Sequence, residues 1–248
     1  MFDLTAANLA FVEGDVERAA HLYHQGAREG DARAAFNYAY CLRRGIGVPM
    51  DPLEAKSFYS FARESDHGEA YYNLAVMYIH GEGVVRNYRT AIAHMRSSAA
   101  KGCIEAQLYL GMFYTTGAVF NPDIVGISCV PTRTVEYRTR DSFLLMGEID
   151  DFEADEEARF SVSQADAREA FLFFREAAYN KSGDAEELIA KAQYLYAKCF
   201  IDGLGTEIDV NKGSRIMLLS AKSGSEEAMG YIVENNINPR NLLKGAQT

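Results

Sequence analysis

Paired cysteines are missing from this chain. Cys41, Cys103, Cys129 and Cys199 form no CxxC motif and no pair recurring at a fixed place, which argues against a disulfide framework or zinc site and for a reducing, cytoplasmic setting. Long apolar runs are missing too: none approaches the ~20 residues that a membrane-spanning helix needs. The opening residues, MFDLTAANLAFVEGD, have no basic stretch and carry Asp3, so they fit neither a secretory signal nor a transit peptide. Clustered Lys and Arg are also lacking. The 248 residues carry a net charge of −10, a field that disfavours nucleic acid and anionic membranes and favours basic or neutral proteins as partners. Catalytic signatures are absent as well: there is no P-loop, no GxSxG, no HExxH and no complete GxGxxG. His21 and His24 stand one helical turn apart without an identifiable third ligand, so they read as surface or cap histidines, and neither metal nor cofactor is expected.

What the chain does have is a period. Ala34, Ala70 and Ala106 stand 36 residues apart, as do Gly45, Gly81 and Gly117, Asp15, Asp51 and Asn87, and Ala19, Ala55 and Ala91. A fixed period of this length marks a solenoid, in which each supersecondary unit buries its apolar face against the next. Within one period the pattern predicts two antiparallel helices. Helix A carries apolar residues at helical spacing and stops at a glycine able to take the left-handed conformation. Helix B follows an Asp or Asn cap. Its start is clearest at Asp51-Pro52-Leu53-Glu54, with Asp as cap, Pro at the first helical position and Glu placed to reach back to the cap amide.

Taken in order, residues 1–30 read as a capping helix pair, Phe2 to Glu13 and Val16 to Glu29. Residues 31–117 hold the first two repeats and helix A of the third. After Gly117 the period breaks, since Gly203, its counterpart in the fourth repeat, lies 86 residues on. Residues 118–165 are read as an insert. Ile124 to Val130 and Thr134 to Arg140 have the alternation of a two-stranded hairpin. Ten Asp and Glu against four Lys and Arg then give the insert −6 of the total charge. The period resumes over 166–224, with Ser163 capping helix B of the third repeat and Gly213 standing where other repeats have Ala, a choice that costs helix stability and permits close packing. Glu226 to Asn236 is expected as a half-repeat cap within 225–248. The fold class is therefore all-α: a right-handed α-solenoid of 36-residue helix pairs, one domain with one large insert.

Ala70 to Val84, AYYNLAVMYIHGEGV, resembles helix A and the loop of Sel-1-like repeats, relatives of the tetratricopeptide repeat, through Ala70, Leu74, Ala75, Tyr78 and Gly81 to Val84. The first repeat keeps Ala34, Gly45, Gly47 and Val48 but exchanges the pattern's Leu and Tyr for Tyr38 and Leu42. The third keeps Ala106, Leu110, Gly111, Tyr114 and Gly117, and the fourth keeps Ala192, Ala197, Gly203 and Gly205 with Phe200 for Tyr. The resemblance covers about 200 of the 248 residues. It implies a protein-interaction scaffold in assembly or signalling and leaves the partner unnamed. Some secreted relatives carry cysteine pairs within each repeat; their absence here agrees with the cytoplasmic reading.

Tetratricopeptide-like geometry puts helix A positions i, i+3, i+7 and i+10 on a concave groove. The expected lining is Arg33, Phe36, Tyr40 and Arg43; Glu69, Tyr72, Val76 and Ile79; Glu105, Leu108, Met112 and Thr115; and Lys191, Tyr194, Lys198 and Ile201. Aromatics and arginines are common interface anchors, and Phe36, Tyr72 and Tyr194 are the candidates for that role; the competing reading is that some of these residues only complete the packing. The insert is a second candidate surface, through Tyr137 and the carboxylates Glu148, Asp150, Asp151 and Glu153. Cys41 and Cys199 share one helix A position and read as packing residues. The function expected is that of a non-enzymatic scaffold or adaptor for a protein or peptide partner, of unstated oligomeric state. Two alternatives stand beside it: an inhibitor or immunity-type protein whose acidic insert blocks a basic toxin or nucleic-acid enzyme, and a metal-dependent hydrolase built on the insert.

Overall fold

Each complete helix pair is set by the same three local devices. A computed structural model describes residues 2–116, 164–181 and 185–237, and every regular element among them is a helix: α1 (Leu4–Val12), α2 (Val16–Arg28), α3 (Ala32–Arg44), α4 (Pro52–Glu64), α5 (Gly68–His80), α6 (Tyr88–Ala100), α7 (Ile104–Thr116), α8 (Gln164–Ala178), α9 (Glu186–Asp202), α10 (Val210–Lys222) and α11 (Glu226–Glu234). The first device is the cap. The side chains of Asp51, Asn87 and Asp209 each accept from the amide three residues on, at 2.9 Å, and so start α4, α6 and α10. The second is a tie between helices. The amides of those same cap residues donate to Leu42, Tyr78 and Phe200, near the ends of α3, α5 and α9. This corrects the expectation for Glu54: the Asp51 amide is already committed to the Leu42 carbonyl, so no reciprocal bond from the Glu54 side chain forms there.

The third device is the glycine pair of the loop. Gly45, Gly81 and Gly203 end helix A in the left-handed conformation, with φ of 68°, 76° and 75°. The second glycine answers a different demand. A Cβ on Gly47 would lie 2.1 Å from the Val16 carbonyl oxygen, one on Gly83 would lie 2.6 Å from the Pro52 carbonyl, and one on Gly205 would lie 2.1 Å from the Ala167 carbonyl oxygen. The loop of one pair thus presses directly on the first turn of the helix before it, and only a residue without a side chain allows that approach.

The described residues fall into two compact units that divide between 103 and 104. In the first, α1 to α6 pack each on the next. Ala19, Ala55 and Ala91 are fully buried, and Tyr23, Tyr59 and Met95, also one period apart, fill the space beside them with no exposure. Burying each of these large side chains contributes roughly 1.5–3 kcal/mol. In the second unit, α7 to α11 pack in the same succession. Close approach here rests on two helical glycines: a Cβ on Gly111 would sit 2.4 Å from the Phe174 ring, and one on Gly213 would sit 2.6 Å from Ile201 and 2.9 Å from the Ala197 carbonyl oxygen. One side-chain bond recurs across both units. Ser98 Oγ donates to the Gly68 carbonyl at 2.9 Å, and Ser220 Oγ donates to the Ala190 carbonyl at 2.6 Å, each spanning 30 residues.

Several expected ends move. α1 starts at Leu4 because the Asp3 side chain accepts from Thr5 and Ala6 amides, and α11 ends at Glu234, before Asn236. The expected hairpin over 124–140, the Ser163 cap and the tail after 237 lie outside the described residues.

Candidate functional site

The positions expected to line a groove separate sharply by burial. Phe36, Tyr40, Arg43, Tyr72, Val76, Ile79 and Leu108 are buried. Arg33 and Glu69 are exposed, whereas Glu105, Met112, Thr115, Lys191, Tyr194, Lys198 and Ile201 are half-buried. Phe36, 5% exposed, stacks on the His67 ring with centroids 4.6 Å apart and meets Tyr59 edge-on at 5.7 Å; Tyr72 is 2% exposed. These two aromatics shape the first unit from within and do not offer an open ring to a partner, because the neighbouring helix covers the face that helical spacing assigns them.

Arg43 is likewise an internal residue. Its guanidinium pairs with the Glu82 carboxylate, with Nη2 3.3 Å from Oε1, and its Nη1 donates to Asn73 Oδ1 at 3.3 Å. Asn73 in turn donates to the Glu69 carbonyl at 3.1 Å. The Glu69 side chain lies 3.0 Å from His67 Nδ1, and that imidazole holds the Glu69 carboxyl below its usual range. The result is a polar seam joining α3, α5 and the loop after α5. A second polar contact lies toward the chain start, where Asn8 Oδ1 accepts from Tyr23 Oη at 2.8 Å and from Asn37 Nδ2 at 3.4 Å.

In the second unit the lining positions of α9 stay accessible and gather charge. Lys198 Nζ pairs with Asp202 Oδ2 at 2.9 Å and sits 4.9 Å from the centre of the Tyr231 ring, on α11. Burial works against the Lys198 charge, but Asp202 outweighs it and the ammonium pKa is raised. Lys191, about two helical turns back along the same face, has its pKa lowered by burial, against the pull of Glu227 and Glu187. Burial also raises the Tyr194 phenol, which feels Lys198, Glu227 and Tyr231. Lys191, Tyr194 and Lys198 therefore form one half-open strip with Glu227 and Tyr231. Glu227 and Tyr231 are not among the expected lining, and the period carried one repeat further supplies the first: the equivalent positions are Glu227, Gly230 and Glu234 on α11 and Ile237 after it.

The remaining sequence candidates are placed as follows. His21 is exposed, and His24 stacks on Tyr38 with centroids 4.7 Å apart and meets Phe58 edge-on. No group of three metal-ligating side chains occurs among the described residues. Cys41 and Cys199 are buried as packing residues, and burial pushes both thiols up to about 12. Tyr137, Glu148, Asp150, Asp151 and Glu153 lie outside the described residues.

Comparison with known proteins adds to this geometry. The profile of the Sel1 repeat matches at residues 8–31, 32–67, 68–103, 104–124, 159–182 and 190–225, well over half of the chain. The third repeat is thus matched in two pieces. Chitin synthase regulatory factor 3 of Schizosaccharomyces pombe is 30% identical over 126 residues, which cover 49% of this chain and only 13% of that protein. The crystal structure of a Sel1 repeat protein from Oxalobacter formigenes superposes with a TM-score of 0.62 at 20% identity, over 88% of this chain and 49% of that one. The chain thus spans less than half of either relative, and the second likeness speaks for the fold alone.

Proposed function

This chain belongs to the Sel1 repeat family, an all-α fold of the solenoid class whose members generally act as protein-interaction scaffolds, and from that premise we propose that it is a non-enzymatic adaptor binding a protein or peptide partner through helix A surfaces. The observation that carries the reading is the half-open strip of Lys191, Tyr194 and Lys198 on α9 beside Tyr231 on α11. Rings flanked by cations and carboxylates supply both apolar area and orientation, which is how interface anchors work. A relative whose name makes it a regulatory factor of chitin synthase is in keeping with a chain that acts on another protein. The acidic stretch from Glu148 to Glu157 is the second contact surface in this proposal, drawn to a basic partner. In this reading the unpaired cysteines point to a cytoplasmic setting, and the net charge of −10 disfavours nucleic acid and anionic membranes as partners. No helix among the described residues is long and apolar enough to cross a membrane.

The test is affinity capture from the source organism's lysate with three baits: the full chain, a chain in which residues 119–162 are replaced by a short glycine loop, and Tyr194→Ala/Lys198→Ala. A partner kept by the second bait and lost by the third places recognition on α9. One held only when 119–162 are present makes that segment the recognition element. If the full chain, folded by circular dichroism, enriches nothing above a scrambled-sequence control, the adaptor reading fails.

A further inference from the structure

One position of the repeat changes character along the chain. The second lining position of helix A is Phe36 in α3, Tyr72 in α5, Leu108 in α7, Tyr194 in α9 and Gly230 in α11. The first three are buried, Tyr194 is half-buried, and Gly230 is exposed. A Cβ built on Gly230 would meet none of the described residues within 4 Å. Packing therefore does not ask for glycine here, in contrast to Gly111 and Gly213, where a side chain would collide with Phe174 or Ile201. Glycine inside a helix is less favourable than alanine, and among the described residues of the second unit nothing offsets that at Gly230.

The charges beside this opening have one sign in excess. Glu226 and Glu227 precede Gly230 by four and three residues, on the same side of α11. Glu227 and Glu187 of α9 both act on the Lys191 ammonium, and Glu226 and Glu227 both act on Glu187. The crowding is felt at Glu187, whose carboxyl is raised first by burial and then by Glu227 and Glu226, with Lys191 opposing. Lys198 is committed to Asp202 and to the Tyr231 ring. A visitor to this surface thus meets an aromatic wall, a floor without a side chain and a carboxylate rim.

Building on the adaptor reading, we propose that the face between α9 and α11 takes a basic segment of a protein partner, with one large apolar side chain over Gly230 against the Tyr194 ring and flanking Lys or Arg on Glu187, Glu226 and Glu227. The opening admits the apolar group that the repeat itself supplies at Phe36, Tyr72 and Leu108, and the rim selects cationic neighbours by charge.

The probe is an acetylated, amidated and fluorescently labelled heptapeptide, Lys-Arg-Lys-Phe-Lys-Arg-Lys, read by anisotropy against the full chain. Two companions carry Ala at the centre or Glu at the flanks. Burial of one aromatic side chain, worth roughly 1.5–3 kcal/mol, predicts that the Phe probe binds at least about tenfold tighter than the Ala probe, and that the Glu-flanked probe does not bind. Gly230→Leu fills the opening and is expected to lose about tenfold in affinity while its melting temperature rises, since leucine is the better helix former. Glu226→Gln/Glu227→Gln should weaken binding and flatten its dependence on salt. The proposal is overturned if the Phe and Ala probes bind alike, if Gly230→Leu binds the Phe probe as the parent does, or if no saturable binding appears up to about 1 mM. It is kept apart from the adaptor reading by one more bait: a lysate partner retained by Gly230→Leu sinks this site and leaves the adaptor standing.

Discussion

Arg43 of α3 and Glu82 of the loop after α5 form an ion pair across 39 residues of sequence, with the arginine side chain only 3% exposed and the glutamate 33%. The pair joins one helix pair to the loop of the next, and Asn73 takes a further guanidinium N–H. Removing one partner of such a pair is more damaging than replacing both, because a buried charge is left without compensation.

Glu82→Ala is therefore expected to destabilise the first unit by about 3–5 kcal/mol. The double change Arg43→Met/Glu82→Leu should recover most of that loss, since matched apolar groups restore packing without an orphaned charge. Urea unfolding followed by circular dichroism measures both. A single variant with an unchanged midpoint would show that the pair contributes nothing.

The two roles of glycine separate in a comparison of Gly83→Ala with Gly30→Ala. Both have positive φ, 63° and 91°, but a Cβ at Gly83 meets the Pro52 carbonyl at 2.6 Å whereas one at Gly30 meets nothing within 4 Å. Gly30→Ala should cost about 1 kcal/mol, the strain of the left-handed conformation alone. Gly83→Ala should cost clearly more, because the loop must also lift from α4. Equal shifts in midpoint would count against the contact.

The recurring serine bonds offer a third measurement. Ser220 of α10 is fully buried and donates to the Ala190 carbonyl, as Ser98 of α6 donates to Gly68. Ser220→Ala and Ser98→Ala are each expected to lose about 0.5–1.5 kcal/mol. Their losses should add, as the two bonds share no residue. A stabilised Ser220→Ala would mean that burying the hydroxyl costs more than its bond returns.

His94 of α6 stacks on Tyr78 with centroids 5.6 Å apart, and burial, followed by the charge of Arg63, depresses its pKa from the usual 6.5. The sign of the pH effect follows. Between the lowered folded value and 6.5 the unfolded chain binds more protons, so the stability gained from a neutral His94 is complete above 6.5 and is lost as pH falls toward the folded value. Thermal melts from neutral to mildly acidic pH should show this slope, and His94→Phe should flatten it. An unaltered slope in that variant would assign the effect to other groups.

Helix positions, caps and loop glycines were legible in the sequence because each rests on contacts within a few residues. The Asp51, Asn87 and Asp209 caps need only the next turn, and the left-handed conformation at Gly45, Gly81 and Gly203 needs only the absence of a Cβ. The period added which residues are equivalent. Helical spacing also assigned Phe36, Tyr72, Arg43 and Tyr194 to one kind of face, and there its reach ended. Whether that face is open depends on what a neighbouring helix places over it. Tertiary packing alone buried Phe36 under His67, locked Arg43 to Glu82, set Gly47, Gly83 and Gly205 against the backbone of the preceding helix, and left Tyr194 half-open and Gly230 exposed. Equivalent positions in a repeat share a direction but not an environment, since exposure is a property of the neighbour and the sequence of one helix does not contain it.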